Sequence, residues 1–137
     1  GLSYTTFAYG KLRLSAGSVT AGQPVSVQVD VTNTGSVAGD EVVQLYIRDE
    51  AASVPTPIRD LAGFTRLHLA PGETKTVSFV VSPRQMSLID DAGRRVVEPG
   101  AFVLSVGGRQ PRRDESADSG EISFARFLVT GKPTEVA

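Results

Sequence analysis

One histidine, adjacent acid pairs and a double glycine are the residues whose types could carry chemistry. His68 is the only histidine of the 137-residue chain and cysteine is absent, so the usual ligand count of a transition-metal cluster is not met. A nucleophile for His68 to activate would stand out as a Gly-x-Ser-x-Gly elbow, and no such run occurs. Set between Leu67 and Leu69, the imidazole alternates onto the opposite strand face and reads as solvated. The pairs Asp49-Glu50, Asp90-Asp91 and Asp114-Glu115 raise the question of glycoside cleavage, which needs two carboxyl groups flanking a bond, one of them raised in pKa by its surroundings. None has an apolar pocket visible beside it, and solvation at strand ends and turns accounts for all three. Calcium at Asp90-Asp91 is disfavoured because Ala92, Gly93, Arg94 and Arg95 follow, bringing cations rather than oxygen ligands. Gly107-Gly108 ends an apolar run and opens no helix, so it is no phosphate cradle. The expectation is a chain with no catalytic residue, no metal and no cofactor.

Charge and composition narrow the partners. Fourteen basic against fifteen acidic residues give a net charge of -1, which leaves no long-range field to gather nucleic acid or anionic membrane. Arg112-Arg113 is flanked by acids and lacks interleaved aromatics, against a nucleic-acid site. No apolar run approaches the roughly 20 residues that cross a bilayer. Sugar-stacking platforms are scarce, with no Trp and only Tyr4, Tyr9 and Tyr46 among tyrosines.

The elements that must position any site are strands. Val25, Val27, Val29 and Val31 alternate with Ser26, Gln28, Asp30 and Thr32 up to the turn Asn33-Thr34-Gly35, a period of two. Glu41 to Asp49 carries Val43, Leu45 and Ile47 on one face and Val42, Gln44, Tyr46 and Arg48 on the other. Further runs centre on Phe64, Leu67 and Leu69, on Val77, Phe79 and Val81, and on Phe102, Leu104 and Val106, and the core is expected to contain Val27, Val29, Leu45, Phe79 and Phe102. Pro83 to Asp91 is read as a loop or a single helical turn. Short strands at regular turn signals predict an all-β, fibronectin type III-like or immunoglobulin-like antiparallel sandwich of about seven strands. The sandwich is placed at residues 1–108 and a polar, mobile insertion at 109–121. A terminal strand-like segment with a frayed tail is placed at 122–137.

Three segments carry a resemblance: Asn33 through Tyr46 (NTGSVAGDEVVQLY), Leu61 to Arg66 (LAGFTR) running to Leu69-Ala70-Pro71-Gly72-Glu73, and Glu98-Pro99-Gly100-Ala101-Phe102. Together they resemble the C-terminal fibronectin type III-like domain of family-three glycoside hydrolases, the family of many β-glucosidases and β-xylosidases. The resemblance implies an accessory role, because that family keeps its aspartate nucleophile in an N-terminal barrel and its glutamate acid/base in a following α/β domain. The nucleophile motif includes a Trp that this chain lacks, so no catalytic residue carries over. Gly1 to Phe7 looks like the second half of a family segment leading out of the α/β domain, and the chain is expected to be one piece of a longer polypeptide.

The expected function is therefore that of a non-catalytic domain of a β-glucosidase-like hydrolase acting on β-linked glucosides. Its partners would be the catalytic domains of the same polypeptide, with carbohydrate met only through the parent enzyme. The alternative is an independent carbohydrate- or protein-binding module. Val42 and Tyr46 make the second face of their strand unusually apolar, so a neighbour should cover it, with the stiff loop of Pro55 and Pro57 beside it. These four residues are the candidate docking site.

Overall fold

The computed structural model describes residues 4–50 and 59–137, and no helix among them is long and apolar enough to cross a membrane. In chain order the strands are β1 (Phe7–Tyr9), β2 (Arg13–Leu14), β3 (Ser18–Thr20), β4 (Val25–Asn33), β5 (Gly39–Asp49) and β6 (Asp60–Leu69), then β7 (Thr74–Val81), β8 (Leu88–Ile89), β9 (Arg95–Val97), β10 (Gly100–Gly107), β11 (Ile122–Thr130) and β12 (Thr134–Glu135). The long strands are those that the alternation marks. The pieces of two or three residues are too short to leave a period of two. Residues Arg84–Met86 form one 3-10 turn, as the irregular spacing there predicts.

One sheet places β4 between β1 and β2 on one side and β7 on the other; the second runs β3-β11-β10-β5-β6. Pairing is antiparallel except between β11 and β3, which run parallel. A small third sheet, β12-β9-β8, closes one end. Val25, Val27, Val29 and Val31 of the first sheet face Val43, Leu45, Phe102, Leu104, Val106 and Phe127 of the second, and all belong to one buried cluster. At about 25 cal/mol per Å² of apolar surface removed from water, such a core is the main stabilising term. Phe102 and Phe127 stack across β10 and β11 with centroids 5.4 Å apart. Outward, β4 and β7 share a polar ladder in which Asp30 accepts from Thr76 at 2.7 Å and Thr32 meets Thr74 at 2.6 Å.

Three expectations shift. Phe79 is only partly buried, not deep in the core, because β7 and β6 are both edge strands and its ring closes the seam between them against the cluster. Residues 122–130 are not apart from the sandwich: β11 pairs with all eight residues of β10 and contributes Phe127 and Val129 to the core. The stretch before β11 carries its own contacts, since Arg109 forks onto Glu115 at 2.7 and 3.0 Å. At the Pro71-Gly72 turn Gly72 takes φ +77°, a conformation that costs other residues a Cβ clash.

Candidate docking face

The five-stranded sheet turns one face to the core and one outward, and register fixes what the outward face shows. On β5, β10 and β11 the outward residues fall into three rows: Gln44, Gly107 and Ile122; then Tyr46, Ser105 and Phe124; then Arg48, Val103 and Arg126. On the β6 side, Val42 lies opposite Arg66, Gln44 opposite Phe64 and Tyr46 opposite Leu61. Val42 and Tyr46 are half-buried on this face, and Tyr46 Oη donates to Gln44 Oε1 at 2.8 Å, which keeps the hydroxyl satisfied while the ring lies along the sheet. Pro55 and Pro57 lie outside the described residues.

The structure adds residues to the face that pattern reading left in the strand interior. Leu61 is 54% exposed and Phe64 is 69% exposed, both beside Tyr46 and Gln44. Phe64 shares its phase with Arg66 and His68 and is out of phase with Leu67 and Leu69. That parity was the available signal. A register shift between Leu45 and Tyr46 makes Ala62 the extra residue of a β-bulge, which turns Leu61 outward although its odd number matches the inward set. Two side chains cap the free edge of β6: Gln85 Nε2 donates to Ala62 O at 2.6 Å and Lys75 Nζ to His68 O at 2.9 Å.

The residues considered for chemistry are placed apart from one another. His68 is exposed and pairs across strands with Asp40, Nδ1 to Oδ1 at 2.6 Å. Asp90 accepts from the Ala92 and Arg94 amides at 3.0 and 2.9 Å and from Arg94 Nε at 3.2 Å, so it closes the β8–β9 turn. Those bonds, the Arg94 amide foremost, hold its carboxyl below the usual range. Glu50 pairs with Arg126 at 3.2 Å, and Glu115 with Arg109. Tyr9 Oη donates to Glu41 Oε2 at 3.0 Å, and burial, reinforced by that carboxylate, pushes the phenol well above its ordinary pKa. Among the described residues no three histidine, cysteine or acidic side chains gather as a metal site. The face can bind through apolar area and guanidinium groups; it holds no acid/base pair.

The sequence profile of the fibronectin type III-like domain matches residues 41–110. The chain is similar to a β-xylosidase of Formosa agariphila, 49% identical over 114 residues that make up 83% of this chain and 16% of that protein. It is 45% identical to a β-glucosidase of Bacteroides ovatus over 74% of this chain and 14% of the relative. Among solved structures, a β-glucosidase from Erythrobacter marinus matches with a TM-score of 0.82 at 38% identity, covering 95% of this chain and 16% of that one. A β-glucosidase from Listeria innocua in complex with glucose matches at 0.78 with 28% identity, over 96% and 17%. The chain thus spans only 14–16% of the length of the two curated relatives.

Proposed function

The chain belongs to the fibronectin type III-like domain family, in the form that matches the C-terminal region of family-three β-glucosidases and β-xylosidases, and on that premise we propose that it is a non-catalytic accessory domain that docks onto, and stabilises, the catalytic domains of a β-glucosidase-like hydrolase. The parent polypeptide cleaves β-linked glucosides with residues that lie outside this chain. The observation that carries the reading is the outward face of the five-stranded sheet, where Leu61 and Phe64 stand exposed beside the half-buried Tyr46 and Val42. A sandwich that lived alone would show polar residues there, as the β4/β7 sheet does with its Thr, Ser, Gln and Asp ladder. Covering the apolar group with a neighbour removes it from water at no cost to the core.

The test joins this chain to the catalytic domains of its own polypeptide and compares that protein with the same protein lacking residues 1–137. Docking predicts one cooperative calorimetric transition, a lower midpoint on deletion, and no product from an aryl β-glucoside with the chain alone. Two independent transitions with an unchanged catalytic midpoint, or turnover by the isolated chain that is lost on mutating one of its acids, would overturn the reading.

A further inference from the structure

The centre of the outward face is not apolar. Ser105 sits there between Tyr46 on β5 and Phe124 on β11, 1% exposed, and its Oγ has no hydrogen-bond partner. Arg59 enters just before β6 and lays its guanidinium over the Phe124 ring, 5.8 Å from the centroid. The residue is 8% exposed. Its Nη2 donates to the backbone carbonyl of Glu115 at 2.9 Å, while Nε is buried with no partner. One row along, Arg48 projects from β5 on the same face. Among the described residues neither arginine has a carboxylate. Glu115 gives its own carboxylate to Arg109 and Arg112, and Glu50 gives its to Arg126.

Two like charges therefore share a face on which one of them is largely out of water. A buried cation without an ion pair of its own is a costly arrangement, and cation–π contact with Phe124 together with one carbonyl offsets only part of it. Burial, and after it the charge of Arg48, depress the pKa of Arg59, and the nearby Glu115 carboxylate, held by Arg109, offsets only a lesser part. What the arrangement lacks is an anion of the planar, two-oxygen kind that a guanidinium fork matches. The surrounding Tyr46, Leu61 and Phe64 would exclude water around such a contact, as an apolar rim does about a buried charged anchor.

We infer that Arg59 and Arg48 form a receptor on the outer face of the five-stranded sheet for an aspartate or glutamate carboxylate presented by the domain that docks there. This inference rests on the docking reading above and deepens it: apolar area supplies contact, and the acidic side chain sets register, because only one placement of the two surfaces neutralises the pair.

The probe is acetate, the smallest carboxylate, added to the isotope-labelled chain at constant ionic strength with chloride as the exchanged anion, while the arginine Nε–H resonances are followed. The expected result is a saturable shift of the Arg59 and Arg48 resonances with acetate and none with chloride, with apparent affinity weakened at least fivefold in Arg48→Gln. That variant changes a half-buried strand side chain without hydrogen bonds among the described residues and should leave the thermal midpoint where it was; Arg59→Lys, which keeps charge but loses the fork, should lose the acetate response. No saturable shift, or equal shifts in the parent and both variants, would overturn the receptor. Failure here is separable from failure of docking: a joined protein that melts cooperatively although the chain ignores acetate keeps the accessory reading and removes only the carboxylate.

Discussion

Asn33 Nδ2 donates to the backbone carbonyl of Leu69 at 3.0 Å, tying the end of β4 in one sheet to the end of β6 in the other. The same amide donates to Val37 O at 2.9 Å, and its Oδ1 accepts from Thr5 Oγ1 at 2.7 Å and from the Gly35 amide at 2.9 Å. The side chain is fully buried and the bond to Leu69 lies wholly out of water, while the other three reach part-buried partners. Asn33→Asp sets a carboxylate oxygen against two carbonyls and should cost about 2–4 kcal/mol, from a buried charge facing them and the Leu69 carbonyl left unmet. Urea melts with an unchanged m-value would measure it. A loss under about 1 kcal/mol would mean that the knot is dispensable.

Acid should loosen the residue 109–121 segment. Arg109 grips both oxygens of Glu115 and the Arg112 amide adds a bond at 3.0 Å; the Arg109 hydrogen bond is the leading cause of a Glu115 pKa lowered to about 2. With the folded value below the unfolded one of about 4.3, the carboxylate stabilises the folded state at neutral pH, and that contribution is lost as pH falls from about 4 through 2. Carboxyl resonances should report Glu115 titrating near the lower end, and Arg109→Gln should return it towards the ordinary range. Titration of Glu115 near 4 in the unaltered chain would contradict the fork.

Periodicity made β4, β5, β7 and β10 legible because each sends its main apolar row to the core, and turn pairs such as Pro71-Gly72 marked where they stop. At β11 it marked a strand-like stretch without its place in the sandwich, for a physical reason. Ile122 and Phe124 face outward with Ser105 and Gly107, whereas the small Ser123 and Ala125 face inward with Leu104 and Val106. Hydrophobicity there runs counter to the usual inside and outside, since Ile122 is buried on the outer side and Phe124 lies under Arg59. The polar stretch from 109 to 121 carries no local trace of the pairing that brings β11 back onto β10. The outward face was half legible: Val42 and Tyr46 follow from alternation, Leu61 needs the bulge, and Arg59 needs the tertiary fold.

The seam between β6 and β7 depends on a missing methyl. A Cβ at Gly63 would stand 3.0 Å from Phe79 Cδ1, close enough that the ring must move. Gly63→Ala should cost about 1–3 kcal/mol as overpacking, and Phe79→Leu should recover part of that loss, with a coupling of about 1 kcal/mol in the double-mutant cycle. Phe79→Ala alone should cost about 2–3 kcal/mol, below the 3–5 kcal/mol of a fully enclosed ring, because its side chain is only partly covered. Additivity within about 0.3 kcal/mol would show that the two positions do not touch.

The docking face makes the sharpest demand, because one substitution must behave differently in two proteins. Phe64 is 69% exposed on the edge strand, so Phe64→Glu removes no core contact and puts a charge where water already reaches. The isolated chain should keep its midpoint within about 2 °C, given that surface changes stay within about 0.5 kcal/mol. Tyr46→Glu is a stricter version: its ring is half-buried along β5 and its hydroxyl is bonded to Gln44, so a modest loss of about 1 kcal/mol is expected in the chain alone. Joined to the catalytic domains, both variants place a carboxylate in a desolvated contact, and the loss should grow by about 2 kcal/mol or more, with a split of the single transition into two. Differential scanning calorimetry on each protein separates the outcomes. Equal losses in the chain and in the joined protein would mean that nothing covers this face, and the docking proposal would fall with it.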